Sequence, residues 1–178
     1  MKKNNIIILF VLVIVLACLR VIIPIENFNP IGAIALMGGM LLGRNIWALA
    51  VPLVALLLGD VILALSSPMY TEYLFSGTFM FVYIGFLAII GAGILLRKNI
   101  SIVKVLAGSV IAAVIFFVIT NIGAWATLDI YTKNLSGLIL SFEAAVPFFR
   151  ATLISQVVFS VIIYFVYSLA TKEKLALA

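Results

Sequence analysis

Long apolar runs separated by short polar stretches dominate the chain. These runs fall at about residues 5–24, 30–43, 46–65, 79–96, 102–125 and 149–171. A helix needs roughly 20 apolar residues to cross a bilayer core, and the runs lack the alternation of a transmembrane strand. The pattern therefore predicts an all-α integral membrane protein, a single transmembrane domain over residues 1–178 built as a six-transmembrane-helix bundle.

Composition narrows the function classes. Hydrophobic residues make up 66% of the chain and charged residues only 10%, against about 25% charged residues in a soluble domain. The chain has no histidine and one cysteine, which removes imidazole catalysis, an intrachain disulfide and a cysteine-based zinc site. There is also no glycine-rich phosphate loop. We therefore expect a protein that is not an enzyme and that has no cofactor and no metal site.

Basic residues predict the orientation. If all six segments cross the membrane, one side carries most of the Lys and Arg residues: Lys2, Lys3, Arg44, Arg97, Lys98, Lys104, Lys172 and Lys174. The other side carries Arg20, Lys133 and Arg150. The positive-inside rule then favours six spans with both termini cytoplasmic. The short second segment is the alternative: if it does not cross, the amino terminus falls on the side with fewer basic residues. The net charge of +5 is explained by these loops, so we expect no nucleic-acid partner.

The polar residues predicted at membrane depth are the candidates for function, because such residues are costly there. Asp60 and Arg20 lie at similar outer depths, so they form either a structural ion pair with each other or separate ligand contacts, and Arg20 can also extend outwards to the interface. Asn121 can bond a neighbouring helix or a ligand. Trp125 is by itself more typical of an interfacial anchor. Arg150, at the predicted start of the last helix, opposes the helix dipole, so we expect an anionic partner such as Glu143, Asp129 or an acidic ligand group.

Two long connections are predicted on the outer face. Residues 66–78 carry Tyr70 and Tyr73, and residues 126–148 carry Tyr131. A connection as long as 126–148 is uncommon without a role, so we expect a lid-like loop that contains a short interfacial or re-entrant helix. Polar and aromatic residues at several outer helix ends favour a ligand pocket over loops that only cap the bundle.

The second predicted helix has a distinct start and a stripe of small residues. Asn29 is the expected N-cap and Pro30 the first helical residue. Ala35, Gly39 and Gly43 then recur every four residues, a spacing that lets another helix approach closely. The stripe predicts tight helix packing and is only a weak indication of homodimerisation.

Several motifs in a fixed order resemble a known family of small bacterial membrane proteins of unknown function. The resemblance covers nearly the whole chain and rests on residues 27–39 (AsnPheAsnProIleGlyAlaIleAlaLeuMetGlyGly), ProLeu at 52–53, Asp60, ValTyr at 82–83, ThrAsnIleGlyAlaTrp at 120–125, Tyr131, Gly137-Leu138 and AlaAlaValProPhePheArg at 144–150. That family is grouped with the substrate-binding S-components of energy-coupling factor (ECF) type vitamin transporters. The sequence is also similar to the solitary cobalamin transporter of that type.

The resemblance implies a multi-pass protein of the bacterial cytoplasmic (inner) membrane that binds a vitamin-like small molecule near its outer face. Its partners would be the lipid bilayer and either an ECF coupling protein with ATPases or, in a solitary protein, no other chain. The alternative is a structural or assembly subunit of a larger membrane complex. For the vitamin-binding function we expect ligand contacts from Asn27, Asn29, Asp60, Tyr70, Tyr73, Asn121, Trp125, Tyr131 and Arg150.

Overall fold

The computed structural model describes residues 11–16, 18–19, 22, 25, 27–66 and 68–171. Residues 11–16 are helical and belong to the first predicted span, most of which lies outside the described residues. The complete helices are α1 (Ile31–Leu42), α2 (Ile46–Ser66), α3 (Pro68–Leu74), α4 (Gly77–Leu96), α5 (Ile102–Thr127) and α6 (Leu135–Thr171). The described chain contains no β-strand, in agreement with the predicted all-α class.

Four helices in the described chain, α2, α4, α5 and α6, are long and apolar enough to cross a membrane. Helix α1 has only 12 residues, or about 18 Å at 1.5 Å per residue, which is less than the roughly 30 Å of a bilayer core. Large apolar side chains are exposed on the outer faces of these helices, among them Leu58, Leu95 and Phe165. Such faces are compatible with contact to lipid.

Local side-chain bonds explain where the helices begin. Ser76 Oγ accepts a hydrogen bond from the Phe79 amide at the start of α4, and Ser101 Oγ accepts one from the Lys104 amide at the start of α5. Before α1, Asn29 Oδ1 accepts from the Ile31 amide at 3.1 Å. The assigned α1 begins at Ile31, one residue after the predicted Pro30, a difference within the usual spread of helix boundaries.

Helix α1 is the most deeply buried element and contacts α2, α4, α5 and α6. Its residues 33–40 are all buried. The closest approach is to α4, where a Cβ atom on Gly39 would overlap the Ile90 carbonyl oxygen and one on Gly93 would overlap the Leu36 carbonyl oxygen. The two helices therefore meet backbone to backbone, and only glycine fits at this crossing.

The last helix differs from the prediction. Residues 126–148 were expected as a lid-like loop with a short interfacial or re-entrant helix, followed by a separate helix at 149–171. Residues 135–148 are indeed helical, but they are continuous with the last helix: α6 begins at Leu135 and runs for 37 residues with Pro147 inside it. Asn134 explains the earlier start, because its Oδ1 accepts from the Gly137 amide at 2.9 Å as an N-cap does. The remaining connection is residues 128–134. Residues 66–78, also predicted as a loop, contain the short helix α3.

Candidate functional site

A cavity of about 220 Å³ lies among α1, α3, α4, α5 and α6. It is placed in the half of the bundle opposite the short turns at 43–45 and 97–101, near the amino-terminal end of α1. Its walls combine amide and hydroxyl groups with apolar and aromatic side chains. The lining residues are Asn27, Asn29, Gly32, Tyr73, Val82, Phe86, Ile89, Phe116, Thr120, Thr152, Ser155 and Gln156.

Gln156 is the most unusual of the lining residues. Its side chain is only 4% exposed, and its Nε2 donates to no acceptor in the described chain. Gly32 lies directly against it, since a Cβ on Gly32 would overlap Gln156 Oε1. A buried polar group without a partner costs about 1–3 kcal/mol. The amide is therefore buried beside the cavity at a cost that an acceptor within its reach would remove.

Two threonines of the cavity already use their hydroxyl protons within their own helices. Thr120 Oγ1 donates to the Phe116 carbonyl at 2.8 Å, and Thr152 Oγ1 donates to the Phe148 carbonyl at 3.3 Å. Each oxygen retains lone pairs that can accept a further hydrogen bond. The two hydroxyls can therefore serve a ligand as acceptors without breaking these bonds.

The turn before α1 forms a second polar wall. Asn27 has a φ of +58°, a left-handed conformation that asparagine tolerates better than most residues. Its carbonyl accepts from Ser155 Oγ at 3.5 Å, while Ser155 Oγ also lies 2.9 Å from the Thr152 carbonyl. The amide oxygen of Asn29 accepts from the Ile31 amide, and its Nδ2 group is a donor that a ligand can use.

Aromatic rings form the apolar side of the cavity. Phe86 and Phe116 have centroids 5.0 Å apart with planes at 48°. Tyr73, from α3, meets Phe79 edge-on at 5.7 Å, and Phe79 in turn packs 4.6 Å from Tyr83. This chain of rings connects the short helix α3 to α4, so α3 is held at the edge of the cavity.

Of the ligand contacts predicted from the sequence, Asn27, Asn29 and Tyr73 line this cavity. Asp60 is buried at 3% exposure on α2 but does not line it. Arg20 lies outside the described residues, and so does the predicted Arg20–Asp60 pair. Tyr70 is exposed on α3.

Three other predicted contacts lie in α5 and in the connection that follows it. Asn121 Nδ2 donates to the Phe117 carbonyl of its own helix at 2.7 Å, and Trp125 Nε1 donates to the Thr132 carbonyl at 3.0 Å. Tyr131 is half-buried in the 128–134 connection. None of the three is a lining residue.

Arg150 differs most from its predicted role. It is exposed and lies inside α6 rather than at its start. The helix dipole therefore does not destabilise its positive charge. It forms no ion pair with Glu143, Asp129 or any other carboxylate of the described residues. The expected anionic partner was inferred from a helix start at 149, and α6 begins at Leu135 instead.

The predicted packing residues occupy the other end of α1. Ala35 is fully buried, and Gly39 meets the backbone of α4 at Gly93. Gly43 ends α1 with a φ of +62°, and its amide donates to the Gly39 carbonyl at 3.0 Å. A Cβ on Gly43 would meet the side chain of Arg97 rather than another helix backbone.

Sequence reasoning missed the part of the cavity that α6 provides. Thr152, Ser155 and Gln156 are spaced i, i+3 and i+4, so they share one helix face. Polar residues at that spacing in an otherwise apolar run were the available signal. Thr120 and Gly32 were also not predicted as lining residues. The predictions named Asn121, next to Thr120, and Asn29, three residues before Gly32.

A second, larger cavity is almost wholly apolar. It measures about 660 Å³ and lies between α2 and the side chains of Val13, Ile14, Cys18 and Ile22, and Cys18 and Trp47 are its least apolar members. Small-molecule sites combine apolar walls with a few convergent polar groups. The smaller cavity around Gln156 meets that description and the larger one does not.

The fold and the cavity define the class of the protein. In the part of the chain that the structure describes, it is all-helical, with four helices long and apolar enough to cross a membrane arranged around a short buried helix and a small polar cavity. The chain belongs to DUF6580, a family of unknown function, whose model matches residues 1–177. No curated protein and no solved structure matches the chain.

Proposed function

We propose that this chain is an ECF-type S-component-like membrane protein that binds a vitamin or related micronutrient in the cavity around Gln156 and helps to import it. The observation that carries the proposal is the cavity itself. It combines a buried amide that lacks an acceptor in the described chain with hydroxyl oxygens and aromatic rings. Such a combination is typical of a small-molecule site rather than of a packed core.

The proposed topology has six spans in the bacterial cytoplasmic membrane, with both termini cytoplasmic. In it, the predicted first segment, about residues 5–24, crosses the membrane, and the predicted second segment, about residues 30–43, which includes the short helix α1, makes the second crossing inside the bundle. The turns at 43–45 and 97–101 then face the cytoplasm with Arg44, Arg97 and Lys98. The cavity lies in the opposite half of the bundle and would open to the outside, where a micronutrient arrives.

The size of the cavity favours a compact ligand. At about 220 Å³ it is smaller than the roughly 300–1,000 Å³ of most drug-sized pockets. A corrinoid is several times larger than this space, whereas a vitamin with a single ring fits it. Import would involve an ECF coupling protein and ATPases or, if the protein is solitary, this chain alone.

The alternative, a structural subunit of a larger complex, was suggested by the small-residue stripe on α1. Gly39 of that stripe is used within the chain, against Gly93. The stripe is therefore weaker support for an assembly role, because it packs within the chain, and we favour the transport-related function.

Binding to the purified full-length protein in nanodiscs tests the proposal. A panel of water-soluble vitamins is screened by thermal shift, and each hit is followed by radioligand binding. We expect one vitamin to raise the melting temperature and to bind in a saturable manner. Gly32→Leu should abolish that binding, because the new side chain would overlap Gln156 and fill the cavity. Gly91→Leu is the matched control, since a Cβ there meets nothing within 4 Å.

Two results would count against the function. One is a panel in which no vitamin binds. The other is a vitamin whose affinity is the same in wild type and in Gly32→Leu, which would place the ligand elsewhere. Purification in mild detergent distinguishes the alternative: co-purifying ATPases favour transport, and a stoichiometric partner with no small ligand favours an assembly subunit.

A further inference from the structure

Among the described residues, the lining of the cavity contains no side chain that is charged at neutral pH. No Asp, Glu, Lys or Arg belongs to it, although the chain carries 11 basic and 6 acidic residues in all. Moving a charged group out of water into such a place costs several kcal/mol unless an opposite charge meets it. The cavity therefore discriminates against ionised ligands.

The hydrogen-bonding groups of the cavity divide into two kinds. Gln156 Nε2 is a buried donor with no acceptor in the described chain. Asn29 Nδ2 is a second donor, on a side chain whose oxygen accepts from the Ile31 amide. Thr120 Oγ1 and Thr152 Oγ1 are acceptors, because their protons are donated to backbone carbonyls. A ligand that satisfies both kinds must present an acceptor and a donor of its own.

The apolar walls limit the shape of the ligand. Phe86 and Phe116 form one wall, with their ring centroids 5.0 Å apart, and Ile89 and Val82 extend it. Aromatic faces favour flat rings in offset or edge-on contact. Within about 220 Å³, there is room for one ring with small substituents.

From these three properties, and resting on the proposed function, we infer that the ligand is an uncharged single-ring heterocycle whose edge carries both a carbonyl or ring-nitrogen acceptor and an N–H or O–H donor. Gln156 Nε2 donates to the acceptor of the ligand. The threonine hydroxyl oxygens accept from the donor of the ligand. The phenylalanine rings contact its faces.

Pairs of compounds that share a ring and differ in charge test the inference on the full-length protein in nanodiscs at pH 7.4. The probes are nicotinamide with nicotinate, uracil with orotate, and pyridoxine with pyridoxal 5′-phosphate, each at concentrations up to 1 mM. We expect at least one neutral compound to bind with a dissociation constant at least tenfold lower than that of its anionic counterpart. Equilibrium dialysis with labelled compound gives the constants.

Gln156→Leu tests the residue that anchors the ligand. Leucine replaces a buried, unsatisfied amide with an apolar group of similar size, so this variant should melt at a higher temperature than wild type in the absence of ligand. It should also bind the neutral compound at least tenfold more weakly. Ser168→Ala is the control on the same helix, since Ser168 bonds the Tyr164 carbonyl far from the cavity, and it should leave binding unchanged.

The outcomes separate this inference from the proposed function. A vitamin that is charged, and whose binding is lost in Gly32→Leu, would leave the proposed function standing and overturn the uncharged class. Tighter binding of the anionic member of each pair, no binding by any neutral member, or unchanged affinity in Gln156→Leu would overturn it as well. If nothing binds in either screen, both fail.

Discussion

Two glycines of α1 have opposite kinds of neighbour. Gly32, in the first turn, lies against the end of the Gln156 side chain, which can rotate. Gly39, two turns further on, lies against the backbone of α4, which cannot move without shifting the whole helix. The first glycine makes room for a cavity and the second allows two helices to touch. We therefore call the part of α1 around Gly32 its adaptable end and the part around Gly39 its rigid end. The same substitution should have different consequences at the two ends.

The largest expected effect is at the rigid end. In Gly93→Ala the new methyl group would overlap the Leu36 carbonyl oxygen, so the α1–α4 contact must open. Overpacking of this kind costs about 2–3 kcal/mol. Thermal unfolding in detergent should show a clear fall in melting temperature. Gly91→Ala, two residues earlier in α4 with open space around its Cβ, is the control and should be neutral or slightly stabilising. Equal melting temperatures for the two variants would refute the backbone contact.

The adaptable end should respond differently. In Gly32→Ala the methyl group displaces Gln156 Oε1, and the flexible side chain can turn into the cavity. The stability change should stay within about 1 kcal/mol, the size of the helix preference of alanine over glycine. Affinity for the ligand should nevertheless fall, because the displaced amide occupies ligand space. A variant that binds normally, or one that unfolds as readily as Gly93→Ala, would remove the distinction between the two ends.

A smaller effect, on stability only, is expected at Trp125. Trp125→Phe removes the hydrogen bond from Nε1 to the Thr132 carbonyl at 3.0 Å and retains most of the ring volume. The expected loss is about 1 kcal/mol, seen as a modest drop in melting temperature. Because Trp125 does not line the cavity, ligand affinity should be unchanged. A fall in affinity would assign Trp125 to the site.

The smallest effect is expected where α4 begins and α5 ends. Thr127 Oγ1 donates to the Gly123 carbonyl, so in its 2.8 Å bond with Thr78 the Thr78 hydroxyl is the donor. Thr78→Val removes that bond, and hydrogen bonds between membrane helices are worth about 0.6 kcal/mol on average. Denaturant unfolding of the single and double variants with Thr127→Val forms a cycle. The two losses should not add, and fully additive losses would show that the bond contributes nothing.

The sequence predicted the elements that are marked by both a long apolar run and a capping residue. Helices α4 and α5 begin within two residues of their predicted starts because Ser76 and Ser101 cap them. Helix α6 was predicted to begin at about 149, whereas it begins at Leu135 and continues through Pro147. A proline inside a helix removes its own amide donor, but here the apolar residues around it continue the helix from Asn134 onwards.

The site was harder to predict than the helices, for a reason that two amides illustrate. Asn121 and Gln156 are both polar residues in apolar runs, and both are buried. Asn121 bonds the carbonyl four residues earlier in its own helix, while Gln156 extends to Gly32 of another helix and lines the cavity. Which of the two amides lines a cavity depends on which helices are neighbours. The helices of this chain are apolar on nearly every face, so the apolar periodicity does not indicate how they are arranged.

The burial of α1 has a consequence for the order in which the protein is assembled. A helix of 12 residues is too short to be held by lipid alone, and its backbone contact, Gly93, is synthesised long after it. During translation, α1 therefore cannot make this contact until α4 has been synthesised. The final packing of α1 is therefore a late event that waits for α4 and the helices after it, although α1 precedes them in the chain.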